Sequence, residues 1–435
     1  MPEGWEWTRL GSLFSTITGS TPSTKDASLY GDEYPFYKPT DLDAGFDVCF
    51  SEDTVSEKGY KNGRILPVYS VLVTCIGATI GKTGYIRNSG ICNQQINAIL
   101  PNTFILPEYT YFCMCSEFEQ QQIWTNSSAT TLPILNKSKF DSLFFPVPPK
   151  AQQTRTVERI KELLHFVEII QQEKRTLQET IKLTKSKILD FAIRGKLVPQ
   201  DPNDEPASVL LERIRAEKEE LIKQGKIKRD KKESIIFRGD DNSYYLRTGR
   251  VEESLEDWRF DDLPETWKIC CLGELCDYGD CINVNTEDIA EDAWILDLED
   301  IEKDTGTVLK KVTKDQRNSV STKHKFHSGQ VLYSKLRPYL NKVVLSDADG
   351  YCTSEILPLE FKNCVLPEYA RYYLMSGTFI AYANHCSYGV KMPRLGTTDG
   401  KKAIFSLPPL SEQKRIVETI DFCFVQLNKI SEALA

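Results

Sequence analysis

The stretch Pro148-Pro149-Lys150-Ala151-Gln152-Gln153-Thr154-Arg155-Thr156-Val157-Glu158-Arg159-Ile160 has an echo later in the chain. The echo is Pro408-Pro409-Leu410-Ser411-Glu412-Gln413-Lys414-Arg415-Ile416-Val417-Glu418-Thr419-Ile420, displaced by 260 residues. A Pro-Pro pair cannot continue a helix but fits just before or at its start, so both copies open a helix with the same punctuation. Apolar residues then recur at spacings of three and four. In the first copy they are Ile160, Leu163, Val167, Ile170, Leu177, Ile181, Ile188 and Phe191, interrupted by Lys174 and Thr184. In the second they are Ile420, Cys423, Leu427, Ile430 and Leu434. This spacing draws the narrow stripe of a coiled-coil seam. One stripe alone equally marks an ordinary amphipathic surface helix; a repeated stripe favours two helices packed on each other.

The repeat extends outward from the helices. Pro2-Glu3-Gly4-Trp5 and Leu10-Gly11 return as Pro264-Glu265-Thr266-Trp267 and Leu272-Gly273, displaced by 262. At 260, Gly90-Ile91-Cys92 returns as Gly350-Tyr351-Cys352, and Leu106-Pro107-Glu108-Tyr109 as Leu366-Pro367-Glu368-Tyr369. The apolar, partly β-branched run Val68 to Ile76 predicts a buried strand, with Val331 to Leu336 as its counterpart. Tyr109 to Ile123 and Tyr369 to Ala383 read as helical. The expected fold class is α+β: two tandem-duplicated globular α/β domains, each feeding a long helix. The expected boundaries are 1–148 for the first domain, 149–198 for the central helix, 199–257 for a connector, 258–407 for the second domain and 408–435 for a short distal helix. Gly195 ends the first helix, and Pro199, Pro202 and Pro206 keep the chain extended after it. An amphipathic helix is expected from Ala207 to Gln224, then a basic, solvated stretch from Lys223 to Lys232. Ser243 to Asp257 reads as a flexible bridge.

A chain of 435 residues with 40% apolar content has room for two or three domains with sizeable cores. Its opening lacks a basic segment followed by an apolar run, so no signal peptide is expected. The most apolar stretch, Ile65 to Ile80, is too short and too polar to span a bilayer. Thirteen cysteines without paired C-x-x-C spacing point to reduced thiols in a cytoplasmic protein, with no metal site. Cys270-Cys271 and Cys113-x-Cys115 read as small core residues.

The net charge of −8 argues against nucleic acid, but the charges are segregated. Lys58 to Pro107 contains no acid, and Lys310 to Lys342 contains nine Lys or Arg against one acid, Asp315. The acids crowd into Asp26 to Glu57 and Glu287 to Asp304. Such segregation makes a local basic face on an acidic protein, or else simply separate solvated surfaces.

Gly77-Ala78-Thr79-Ile80-Gly81-Lys82-Thr83 resembles a phosphate-binding loop, but it has three residues between its glycines where that motif needs four. The Gly84-Tyr85-Ile86 that follows reads as strand rather than helix. A turn bringing Thr79, Lys82 and Thr83 to a DNA phosphate or base edge fits better. No methyl-transfer motif, glycine-rich cofactor loop or Ser-His-acid constellation stands out, and His165, His324, His327 and His385 have no ligand spacing. No catalytic residue is therefore assigned, and no activity of the chain's own is expected. Asn93-Gln94-Gln95 supplies amides able to pair with an adenine edge or to form a plain turn. Leu332 to Lys342 alternates polar and apolar groups, which offers Ser334, Lys335, Arg337 and Tyr339 as contacts. Arg317 lies in the same basic run. Lys82 and Lys342 are equivalent in the repeat, so a shared phosphate contact is expected.

Together these features resemble the DNA-specificity subunit of a type I restriction-modification enzyme, over essentially the whole chain. The telling pieces are the twice-used Pro-Pro-x-x-x-Gln-x-x-x-Val-Glu start, and Ala192-Ile193-Arg194-Gly195-Lys196-Leu197-Val198-Pro199-Gln200-Asp201-Pro202. The stretches Cys75 to Thr83, Cys92 to Gln95 and Leu332 to Lys342 add to them. The resemblance implies two target-recognition domains separated by antiparallel spacer helices, each domain reading half of a gapped double-stranded DNA site. It implies methyltransferase and motor-nuclease subunits as partners. S-adenosylmethionine, ATP and Mg would belong to those partners, with no cofactor bound by this chain. The second helix stops at Ala435, equivalent to Arg175, which leaves Leu177 to Phe191 without an obvious partner in the chain. The methyltransferase, the 207–224 helix or a second copy would cover it. The alternative is a coiled-coil scaffold whose globular domains bind protein.

Overall fold

The computed structural model describes residues 2–128, 132–228, 233–241, 243–255, 262–317 and 320–434. These form two compact units, Met1–Gln172 and Glu173–Ala435. Among the described residues no helix is long and apolar enough to cross a membrane.

In the first unit, strand Glu6–Arg9 pairs antiparallel with Phe144–Val147, the strand that leads into the long helix. A four-stranded antiparallel sheet runs Thr16–Thr18, Ile96–Ile99, Val71–Thr74, Thr83–Tyr85. Val71–Thr74 is one of its two interior strands, and all four of its residues are buried. A smaller sheet includes one parallel pair, Phe36 opposite Ile91. Helix Pro107–Met114 opens on proline, and Ser116 caps the next helix, Glu117–Asn126. The single helix expected over Tyr109 to Ile123 is thus two, because the Ser116 cap starts a new one.

The second unit repeats this frame. Lys268–Cys271 pairs with Ile404–Leu407, and Val331–Ser334 lies between Val343–Leu345 and Ile356–Leu359. The parallel pair returns as Ile295 opposite Tyr351. Helices Pro367–Leu374 and Gly377–His385 repeat the proline start and the serine cap, here Ser376.

The duplicated glutamine explains the duplicated motif. Gln153 accepts the Leu106 amide at 2.8 Å and donates to the Pro148 carbonyl at 3.1 Å. Gln413 accepts the Leu366 amide at 2.8 Å and donates to the Pro408 carbonyl at 3.1 Å. Both side chains are buried. Each therefore joins the start of a long helix to the loop ahead of its domain's first proline-opened helix.

The long helix, Lys150–Ile193, has 44 residues and so is on the order of 65 Å long. It ends where Gly195 takes φ +65° and the Lys196 amide bonds back to Phe191 at 2.9 Å, a Schellman-type stop. Within the second unit its C-terminal part runs beside the distal helix Leu410–Ala433. Lys185 donates to Asn428 at 2.6 Å and lies over the Phe424 ring, while Ile188 and Leu189 share a core with Ile416 and Ile420. This corrects the expectation that the Leu177 to Phe191 stretch lacks a partner in the chain, for its Lys185 to Leu189 part. The repeat equates residues in the same direction, but antiparallel helices pair the start of one with the end of the other. Ile181 is buried and Leu177 and Phe191 are exposed, as are Leu163, Val167 and Ile170. Ile160, Cys423, Leu427 and Leu434 are half-buried, Ile420 is buried and Ile430 is exposed.

The connector is more structured than its composition implies. Helix Ala207–Lys223 buries Leu210 and Leu211 in the second unit's core. Ser234–Arg238, Tyr244–Thr248 and Val251–Ser254 then form an antiparallel meander. Ile236, Leu246 and Leu255 pack on Ile269, Cys271 and Ile404. The described part of the Ser243 to Asp257 stretch is therefore strand rather than flexible bridge; Glu256 and Asp257 lie outside the described residues, as do Arg229 to Lys232 of the basic stretch. Cys113, Cys270 and Cys271 are buried, but Cys115 is exposed.

Candidate nucleic-acid interface

The turn after Val71–Thr74 and the turn after Val331–Ser334 are built alike. Each has two residues of positive φ four positions apart: Gly77 (106°) and Gly81 (88°), then Arg337 (51°) and Asn341 (49°). The Gly77 amide bonds the Pro133 carbonyl at 3.0 Å, and the Arg337 amide bonds the Pro393 carbonyl at 2.7 Å. Both turns are therefore laced to a second loop from beyond the helix pair. Left-handed backbone is ordinary for glycine but costs an arginine about 1 kcal/mol or more, and such strain gathers at functional sites.

Of the contacts expected at the second turn, Lys335, Arg337 and Lys342 are half-buried and Tyr339 is exposed. Lys335 and Arg337 make no side-chain hydrogen bond or ion pair among the described residues, and the Arg337 Nε is buried without a partner. Strand Val331–Ser334 ends before Arg337. Its direction is set by the left-handed turn and not by the strand alternation expected from the sequence. At the first turn, Thr79 and Gln94 are exposed. Gln94 accepts a hydrogen bond from Thr21 at 2.5 Å.

Several expected contacts face inward. Thr83 is buried and donates to the Gly81 carbonyl at 2.9 Å. Ser334 is buried and donates to the Leu336 carbonyl at 3.0 Å. Asn93 is buried, accepts the Gln95 amide at 3.1 Å and donates to the Gln95 side chain at 2.9 Å. It shapes the turn, and Gln95 is held with it. His324 is buried against the Ile356 carbonyl at 2.8 Å, and burial pushes its pKa down. His327 meets Glu360 at 2.8 Å.

The segregated charges meet in space. Lys58 pairs with Asp26, Lys61 with Glu57, Lys82 with Asp43 at 2.6 Å and Arg87 with Asp47 at 2.7 Å. In the second unit Lys310 pairs with Asp300, Lys311 with Asp347 and Lys314 with Glu291. Arg317, about 10% exposed, is clamped by Asp297 and the fully buried Asp300. Lys342 donates to the Leu298 carbonyl at 2.6 Å, and burial lowers its pKa against the pull of Asp300. The acid-rich segments thus fold onto the basic windows and neutralise most of them. Arg317 and Lys342 are thus held by groups within the fold, and Lys82 and Lys342, equivalent in the repeat, hold different partners.

Sequence reasoning missed the loop laced to the second turn. Tyr388 and Arg394 pair their backbones as the arms of a hairpin, and Tyr388, Val390, Lys391 and Met392 stand exposed beside Arg337. Its only sequence signal was the repeat: Leu132-Pro133 and Leu135 match Met392-Pro393 and Leu395 at 260.

Two α/β domains of one frame, each feeding a long helix from a Pro-Pro-x-x-x-Gln start, define a tandem-duplicated, helix-spaced protein. The type I restriction modification DNA specificity domain matches this chain over residues 2–179 and again over 264–433. The chain belongs to that family. It is 30% identical to the type I restriction enzyme EcoAI specificity subunit of Escherichia coli, over 99% of this chain and 79% of that protein. It is 23% identical to the EcoDI specificity subunit of the same organism, over 99% of this chain and 84% of that one. In fold it is similar to the HsdS subunit from Thermoanaerobacter tengcongensis, with a TM-score of 0.55 at 16% identity, covering 100% and 93% of the two chains. A chain from a type I R-M assembly superposes with a TM-score of 0.61, also at 16% identity, over 100% and 93%.

Proposed function

We infer that this chain is the non-catalytic DNA-recognition subunit of a type I restriction-modification enzyme, acting in the cytoplasm. The observation that carries this is the family match, which takes in both duplicated halves and the start of each long helix. Residues 1–148 and 258–407 serve as the two target-recognition domains, 149–198 and 408–435 as spacer helices, and 199–257 as the connector. Each domain reads one half of a gapped double-stranded site. In the second domain Lys335, Arg337 and Tyr339 meet the DNA, since Lys310, Lys311, Lys314, Arg317 and Lys342 are held by carboxylates or a carbonyl while Lys335 and Arg337 are not. Arg337 carries base discrimination, because arginine pairs bidentately with guanine in the major groove. In the first domain Thr79, Gln94 and Lys82 face the duplex, and phosphate competes with Asp43 for Lys82.

The chemistry resides in partners. Methyltransferase subunits, and motor-nuclease subunits for restriction, supply S-adenosylmethionine, ATP and Mg sites. The apolar face of the long helix left exposed at Leu163, Phe166, Val167 and Ile170 supports such docking, since contiguous exposed apolar area marks interaction sites. The test is methylation sequencing of cells with and without this chain, each expressing its neighbouring methyltransferase. A gapped two-part motif that depends on the chain is the expected result. An identical pattern in both cells overturns the reading.

A further inference from the structure

The hairpin beside Arg337 has rigid arms and a bare tip. Tyr388 and Arg394 exchange backbone hydrogen bonds at 3.1 and 3.0 Å. The Arg394 guanidinium grips both oxygens of Glu355 at 2.9–3.1 Å. Glu355 in turn accepts the Lys335 amide on its backbone carbonyl at 3.0 Å, and the Lys335 carbonyl accepts the Leu395 amide at 3.0 Å. With the Arg337–Pro393 bond, this ladder ties the hairpin and the turn into one body. Between the arms, Gly389 takes φ 96° and turns the chain.

The tip side chains contribute nothing to a core. Tyr388 is 61% exposed, Val390 fully exposed at 102% and Met392 47% exposed. Single exposed apolar residues are common on protein surfaces. Here three fall within five residues of a braced hairpin, with Lys391 between them and Lys335 and Arg337 on the turn bonded to its arm. None of these cations has a carboxylate partner among the described residues, although most others near the turn do. An apolar tip ringed by uncommitted cations suits a polyanion with apolar groups inside it, which describes a duplex groove better than a protein face. The corresponding arms exist in the first domain, where Ser128 pairs with Ile134, but Leu132 stands there in place of Met392.

We propose that the 388–394 hairpin is an apolar wedge for duplex DNA, pressing Val390 and Met392 against or between the bases of one half-site, with Lys391 on phosphate. Small and medium apolar side chains at such tips unstack a base step and so read its deformability as well as its edge. This rests on the DNA-recognition role proposed above and adds a second reading element to it, mechanically joined to Arg337.

The experiment uses the full chain assembled with its methyltransferase, and its methylated target sequence carrying 2-aminopurine at one position at a time. The expected result is a several-fold rise in fluorescence at one step of one half-site. A Val390→Ser/Met392→Ser double variant, checked for unchanged thermal unfolding, should lose that rise and bind the target about tenfold more weakly with the same salt slope. Lys391→Ala should keep the rise and lower the salt slope by about one. Wild-type complex that binds its target while no step brightens, or a double variant that keeps both signal and affinity, overturns the wedge alone. A double variant that loses only its methyltransferase makes the tip a protein contact and also overturns it. Wild-type complex that prefers no sequence overturns the recognition role itself.

Discussion

Gly77 and Arg337 occupy the same point of the two duplicated turns, and both have positive φ, at 106° and 51°. The repeat keeps a positive φ at this point, and the side chain differs. A position that glycine fills without strain in one half carries a strained arginine in the other, with its Nε buried and unpartnered. Residues kept at such a cost are retained for something other than stability.

Replacing Arg337 with glycine should therefore separate stability from recognition. Thermal unfolding of Arg337→Gly is expected to be unchanged or raised, by up to about 1 kcal/mol. Discrimination in one half-site should fall by about 1–3 kcal/mol, read as relaxed methylation at one base pair. An equal loss of affinity on all sequences would place Arg337 on phosphate instead.

Gln153 and Gln413 are buried clamps, each bonded to one amide and two carbonyls. Gln153→Ala and Gln413→Ala strand those backbone groups, at about 1–3 kcal/mol each. Hydrogen exchange should show the loss at Leu106 in one variant and at Leu366 in the other. Protection unchanged at both amides would show that water replaces the side chain.

The repeat made much of this legible. Matched positions 260 apart located the helix starts, the clamping glutamines and the paired turns, because backbone roles survive when side chains change. Charge was the weak guide. Lys58 and Asp26, or Arg317 and Asp300, are far apart in sequence but in contact in space, so segregation along the chain looked like a basic face and was an ion-paired one. Thr83, Asn93 and Ser334 have the right chemistry for DNA, but their direction depends on tertiary turns that no local pattern reveals. The connector meander was hidden because its strands are short and carry charged residues on their outer face.

Glu119 should give the first domain a pH-dependent stability. Its carboxyl is fully buried beside Cys113, with one hydrogen bond from Gln122 at 3.1 Å, and burial pushes its pKa up to about 8. At the equivalent position of the second domain stands a buried Phe379. Between the ordinary glutamate value and about 8, the folded form holds a proton that the unfolded form has lost. Stability must therefore fall as pH rises through that window. Glu119→Gln keeps the shape and removes the titration. Its unfolding temperature should match wild type near pH 4.5 and exceed it by several degrees at pH 8. Parallel pH profiles for the two proteins would show that Glu119 does not carry the effect.

Arg317→Ala should behave as a folding defect. It takes the guanidinium from the fully buried Asp300 and from Asp297, and removing one member of a buried pair costs about 3–5 kcal/mol. The second domain should unfold at lower denaturant. Variant protein that remains folded should keep its sequence preference. A stable variant with altered preference would return Arg317 to the DNA contacts.

Lys82 and Lys342 are equivalent in the repeat and should separate in experiment. Lys82, with its side chain 24% exposed, is paired with Asp43, whose carboxylate is 71% exposed, so water screens the pair and it adds little to stability. A DNA phosphate can take the lysine over and release counterions in doing so. Lys82→Ala is thus expected to leave unfolding unchanged and to reduce the salt dependence of DNA binding by about one charge. Lys342 is different. Its ammonium is part-buried on the Leu298 carbonyl, within the field of the buried Asp300. Lys342→Ala should lower the unfolding temperature of the second domain and leave the salt slope of the surviving protein unchanged. If both variants shift the slope equally, the two lysines share a phosphate role despite their different partners, and the turns are alike in function as well as in backbone.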